Sequence, residues 1–177
     1  GGVSVVQLRE KEASSRELFE LAKRVKRVTD KYYVPLIIND RLDICLAVDA
    51  AGVHLGQTDL PCSEARRILG AEKIIGVSAA TPEEAAKAQS DGADYLGVGA
   101  VFATSTKTNT RPVTAETIRA IRSAVDIPFV VIGGVNSENI SGLYGLGING
   151  AAVISAIISQ PDITAAARKM RQAAERL

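Results

Sequence analysis

Apolar residues in this chain gather into seven short runs: Val3–Leu8, Pro35–Ile38, Gly52–Leu55, Ile74–Val77, Tyr95–Val101, Phe129–Ile132 and Ala151–Ile154. They are rich in Val, Ile and Leu and alternate only weakly, which is the pattern of a parallel strand covered on both faces. The segments between them carry helical periodicity and helix punctuation. Ser14-Ser15-Arg16-Glu17 has capping-box spacing and predicts a helix running toward Tyr32. Thr81-Pro82-Glu83-Glu84 puts a Thr cap before a Pro at the first helical position, the strongest helix start in the chain. Further helices are predicted at Leu42–Val48, Ser63–Leu69, Ala115–Val125, Ser137–Leu146 and Ile163–Leu177.

The apolar runs share a second property: a polar or glycine-rich cluster follows each. The clusters are Arg9-Glu10-Lys11, Asn39-Asp40-Arg41, Gly56-Gln57-Thr58-Asp59, Ser78, Thr104-Ser105-Thr106-Lys107, Gly133-Gly134 and Ser155. Strands that deliver polar groups from one end imply a parallel α/β fold with a shared active face, and a TIM-type (β/α)8 barrel suits this pattern best. A flavodoxin-like open sheet is the alternative. A closed barrel needs eight strands; seven are counted here, and Gly1-Gly2-Val3 reads as the end of a helix-to-strand return. The expectation is therefore a single barrel domain over residues 1–177 that lacks its first βα unit. The returns Asp49-Ala50-Ala51-Gly52, Asp91-Gly92-Ala93-Asp94 and Gly147-Ile148-Asn149-Gly150 look alike. Either a repeated βα unit or the common chemistry of helix ends accounts for them.

Charge narrows the function classes. The formal net charge is +1, so no global field draws the chain to nucleic acid or a membrane surface. With 4% aromatic residues and no Trp, it also lacks stacking platforms for single strands. No apolar stretch reaches the roughly 18 residues a membrane-spanning helix requires. Cys45 and Cys62 are expected to be buried free thiols of a cytoplasmic protein. A lone histidine, His54, rules out a His/Cys zinc constellation. The expected partners are small molecules, and a monomer and a homo-oligomer both stay open.

The candidate chemistry falls into two groups. Asp40 and Asp59 end consecutive strand regions, with Asn39 and Gln57 beside them, and together offer an oxygen-rich site for Mg²⁺ carrying a polyphosphate. The alternative is that each Asp caps the helix that follows. Arg9 and Lys11 add positive charge next to them. The second group is Thr104-Ser105-Thr106-Lys107 together with Gly133-Gly134 and Ser155, loops that could wrap a phosphate. Composition and spacing thus describe an enzyme that handles two phosphorylated groups, one with Mg²⁺.

These residues also form a recognisable series. Gln7-Leu8-Arg9-Glu10-Lys11, Ile38-Asn39-Asp40-Arg41, Gly52-Val53-His54-Leu55-Gly56-Gln57-Thr58-Asp59 and Gly76-Val77-Ser78 resemble the thiamine-phosphate synthase family. Gly97-Val98-Gly99, Thr104-Ser105-Thr106-Lys107, Ile132-Gly133-Gly134 and Ser155-Ala156-Ile157 continue the resemblance in order along the chain. It implies a transferase that joins hydroxymethylpyrimidine diphosphate to thiazole phosphate through a carbocation-like step, giving thiamine phosphate and diphosphate. It implies Asp40 and Asp59 as Mg²⁺ ligands. It places Gln7, Arg9, Lys11, Asn39, Ser78 and Lys107 around the pyrimidine diphosphate, with Arg9, Lys11 and Lys107 stabilising the departing diphosphate. Thr104, Ser105, Thr106, Gly134, Ile154 and Ser155 would hold the thiazole phosphate.

The chain departs from the family pattern at Ala100 and Ala103, where prolines are frequent, and at Ala80, where His is frequent. Two rival readings remain. A thiazole tautomerase would need a proton-transfer residue in Ser78-Ala79-Ala80-Thr81, and His54 lies elsewhere, in an apolar strand where packing is its expected role. A non-catalytic barrel that binds thiamine precursors would have no need to retain Asp40, Asp59 and Lys107.

Overall fold

Strand formation follows the apolar runs closely, because burial on both faces rewards β-branched residues at consecutive positions. The computed structural model describes residues 1–103 and 113–177 of the chain. Among the described residues there are seven strands: β1 (Val6–Leu8), β2 (Leu36–Asn39), β3 (Gly52–Leu55), β4 (Ile74–Ala79), β5 (Tyr95–Gly99), β6 (Phe129–Ile132) and β7 (Gly150–Ala152). The helices among the described residues are α1 (Ser15–Lys31), α2 (Leu42–Ala47), α3 (Cys62–Leu69), α4 (Pro82–Ser90), α5 (Ala115–Ala124), α6 (Ser155–Ile158) and α7 (Ile163–Ala174).

Two compact units divide these elements: residues 4–77 with 91–94, and residues 1–3, 78–90 and 95–177. In the first, β1, β2, β3 and the Ile74–Val77 part of β4 pair in parallel and in chain order. Leu36, Ile37 and Ile38 are buried in succession, with Val53, Leu55 and Ile75. The β3–β4 pairing is tight at Gly52, where a Cβ would lie 1.9 Å from the Ile74 carbonyl oxygen. In the second unit β5, β6 and β7 pair in parallel, again in chain order. Phe129, Leu96, Val98 and Val131 are buried there, with Ile118 and Ile121 from α5. Consecutive parallel strands and the helices between them make each unit an α/β arrangement.

Helix starts obey the local code. Ser14 accepts from the Glu17 N–H, and the Glu17 carboxylate accepts from the Ser14 N–H at 2.9 Å, closing the capping box. The Glu84 N–H donates to Thr81 Oγ1 at 3.2 Å, and the Glu84 carboxylate accepts from the Ala80 N–H at 2.7 Å. The three look-alike returns each contain a left-handed residue: Asp49 (φ 52°), Gly92 (φ 94°) and Gly147 (φ 74°).

Four expectations are corrected. The first run narrows to Val6–Leu8, leaving Val3 and Val5 exposed. The last run shifts to Gly150–Ala152, because Ile154 adopts φ −118°, ψ −85° and leaves the ladder. β4 extends to Ala79, so Ser78 lies inside a strand and is half-buried rather than following one. The helix expected over Ser137–Leu146 reduces to a 3₁₀ turn at Ile140–Leu143. There the side chains of Asn136 and Asn139 bind the loop's own backbone N–H groups and compete with helix formation. No described helix is long and apolar enough to cross a membrane. Cys45 and Cys62 are buried thiols outside any disulfide, and His54 is buried within β3, as expected.

Candidate active site

In the first unit the polar strand ends converge on Asp40. Its N–H donates to the His54 carbonyl at 2.9 Å, carrying the β2–β3 ladder one residue past the end of β2. The backbone then turns sharply, with Asp40 in the left-handed region at φ 63°. Aspartate tolerates that conformation better than most residues, and at candidate functional sites such geometry aims a side chain. The Asp40 carboxylate meets Lys11 Nζ at 2.5 Å and also hydrogen-bonds Asp59.

Asp59 reaches the same place by a tight turn. One of its oxygens, Oδ2, accepts from the Gly56 N–H at 2.7 Å, while its own N–H donates to the Gly56 carbonyl at 3.2 Å. Gly56 stands close beneath it: a Cβ there would come within 3.0 Å of Oδ2.

Neither carboxylate is a helix cap. α2 begins after Arg41 and α3 after Pro61, and neither start has a side-chain cap bond. The capping alternative for Asp40 and Asp59 is thereby removed. Arg41 pairs with Asp43 and reaches Ser15 Oγ at 2.8 Å, tying α1 to α2.

The two carboxyls titrate apart. Burial alone would raise Asp40, but Lys11, the hydrogen bond with Asp59 and the charge of Arg9 outweigh it and hold it below the ordinary aspartate value. Asp59 is pushed up, first by burial and then by the adjacent Asp40, against the pull of the Gly56 N–H and Lys11. Two adjacent carboxyls that repel one another when both are charged mark a place that a cation can occupy. Among the described residues no group of three or more His, Cys, Asp or Glu could hold a metal with protein ligands alone. A pair of carboxylates matches the habit of Mg²⁺, which keeps water and substrate phosphate oxygens in most of its positions.

The remaining predicted residues of this group are placed as follows. Gln7 is exposed in β1, paired with Ile37. Arg9 and Lys11 are exposed after it, and Asn39 is half-buried at the end of β2, paired with His54. Ser78 belongs to the other unit.

The second group lies in that other unit. Gly133 and Gly134 follow β6 in the left-handed region, at φ 97° and 66°. A Cβ on Gly134 would fall 2.5 Å from the Ala103 carbonyl oxygen, so only glycine fits. The Phe102 N–H donates to the Gly133 carbonyl at 3.0 Å, which seats the end of the β5 loop on this turn. Ile154 and Ser155 follow β7 and are exposed, with Ser155 opening α6. Thr104, Ser105, Thr106 and Lys107 lie outside the described residues. Sequence reasoning included Gly56 in a polar cluster without giving it a role and passed over Asn139; the signals were a Gly three residues before an Asp, and Asn at positions 136 and 139.

The profile of the TMP-TENI family, thiamine monophosphate synthase, matches residues 1–157. The chain belongs to this family. It is 58% identical over 170 residues to the thiamine-phosphate synthase of Ruminiclostridium cellulolyticum, covering 96% of this chain and 81% of that protein. It is 51% identical to the thiamine-phosphate synthase of Clostridium botulinum, covering 100% of this chain and 83% of that protein. Among solved structures, thiamine phosphate pyrophosphorylase from Pyrococcus furiosus superposes with a TM-score of 0.91 at 40% identity, covering 99% of this chain and 84% of that one.

Proposed function

We propose that this chain is a thiamine-phosphate synthase that joins hydroxymethylpyrimidine diphosphate to thiazole phosphate, with Mg²⁺ bound at Asp40 and Asp59. The observation that carries the reading is the Lys11–Asp40–Asp59 cluster, in a chain with 58% identity to a thiamine-phosphate synthase. The metal supplies charge neutralisation for a diphosphate.

In the proposed reaction the pyrimidine methylene C–O bond breaks and its electron pair leaves with diphosphate. The thiazole nitrogen lone pair then forms the new C–N bond to the carbocation-like carbon. No covalent nucleophile and no net proton transfer are needed. Arg9 and Lys11, exposed beside Asp40, bind the diphosphate and stabilise the negative charge that grows on it as it departs. The family resemblance assigns Gln7, Asn39 and Ser78 to the pyrimidine. Gly134, Ile154 and Ser155 receive the thiazole phosphate, and Thr104, Ser105, Thr106 and Lys107 complete the set on the strength of the family resemblance. The same resemblance assigns the strands to a (β/α)8 barrel, and two buried cysteines outside any disulfide suit a cytoplasmic setting.

The test is direct: the protein is incubated with Mg²⁺ and both precursors. Thiamine phosphate and diphosphate should form in equal amounts, and chelation should stop the reaction. Isomerisation of the thiazole alone would favour the tautomerase, and binding without turnover would sink the enzyme reading.

A further inference from the structure

The loop after β6 carries a hydrogen-bond device of its own. Asn136 Oδ1 accepts from the N–H groups of Glu138 at 2.9 Å and Asn139 at 3.1 Å. Asn139 Oδ1 accepts in return from the Asn136 N–H at 2.9 Å. These bonds close the turn and use only the acceptor half of the Asn139 amide. Its donor half does something the turn does not require: Nδ2 donates to the Gly134 carbonyl at 2.8 Å.

That bond acts at a pair of glycines. Two successive glycines leave the backbone more rotational freedom than any other pair, yet steric fit demands glycine at Gly134. Clamping the Gly134 carbonyl fixes the plane of the trans peptide to Val135 and thus the direction of the Val135 N–H, which opposes it. A loop held in its receiving shape beforehand loses less entropy when a ligand arrives.

We propose that Asn139 is a positioning residue for the thiazole phosphate: its amide donor holds the Gly133-Gly134 backbone in the form that receives the phosphate. The inference rests on the reading of Gly134 as a phosphate-contacting residue.

Asn139→Asp tests it, since the carboxylate keeps the acceptor for the Asn136 N–H and loses only the donor to Gly134. Asn139→Leu, which adds no charge, separates loss of the bond from repulsion of the phosphate. In both variants the KM for thiazole phosphate should rise roughly tenfold, the scale of one hydrogen bond. The KM for the pyrimidine diphosphate should change less than about twofold on the same scale. Calorimetric titration with thiazole phosphate alone should show the same weakening. Thermal unfolding shows whether each variant is folded, and if Asn139→Leu is not, Asn139→Ser, uncharged and without the amide donor, takes its place. Unchanged thiazole phosphate binding in a folded variant would overturn the proposal, as would equal rises in both KM values. Wild-type protein that turns over neither precursor would instead strike the functional reading itself.

Discussion

At the scale of single residues the decisive feature is a pair of carboxyls pushed in opposite directions. Asp40, held low, contributes stability above the ordinary carboxylate range and loses it as pH falls. Asp59, held high by burial and by Asp40, has the opposite sign: its protonated form suits the fold, so the metal-free protein loses stability as pH rises through its raised value. As pH falls through the raised Asp59 value, a cation at this pair competes with a proton. Mg²⁺ affinity should therefore weaken with falling pH, beginning above the ordinary aspartate value of 3.8. Titrations with Mg²⁺ across that range check this, and a flat affinity would count against the pair as ligands. Asp59→Asn should bind Mg²⁺ more weakly by more than the roughly 10–100-fold typical of outer-shell partners. At neutral pH it should also unfold at a higher temperature than the metal-free parent, a combination expected where a binding group is kept at the expense of stability.

At the scale of elements, starts and stops follow local chemistry. The Ser14–Glu17 box and the Thr81–Glu84 start both form as their spacing predicts, because each uses donors that a helix must leave unpaired. Ser14→Ala should cost about 1 kcal/mol of unfolding free energy, measurable by urea denaturation, without moving the KM of either substrate. A loss of substrate affinity in that variant would place the start of α1 closer to the site than its contacts do. The expected helix over Ser137–Leu146 fails for an equally local reason, since Asn136 and Asn139 spend their side chains on the turn. Apolar spacing registers the buried Ile140 and Leu143 but not this competition.

At the scale of the molecule, the proposed ligands fall into separate units: Asp40, Asp59 and Lys11 in one, Gly134 and Ser155 in the other. Hydrogen exchange should reflect that division. Mg²⁺ with pyrimidine diphosphate should protect amides near Lys11, Asp40 and Asp59, and thiazole phosphate should protect amides around Gly134 and Ser155. Each ligand at about 100 times its Kd should add roughly 2.7 kcal/mol of stability. Protection of the same segments by either ligand alone would contradict the assignment.

The amino-acid order alone determined the seven strands found among the described residues, their sequence of polar ends and the family. Those features depend on periodicity and on residue types at fixed spacing, which survive without coordinates. Even the alliance of Asp40 with Asp59 was foreseeable, as side chains at the ends of neighbouring strands. Only the tertiary structure decided that neither Asp caps a helix, that Lys11 pairs with Asp40, and that Gly56 holds Asp59. It also decided that Asn139 clamps Gly134. These depend on the left-handed turn at Asp40 and on the loop after β6, where side chains and backbone compete for the same hydrogen bonds. A pattern along the chain records which groups are available, but the winner of that competition is set by which of them the fold brings within reach.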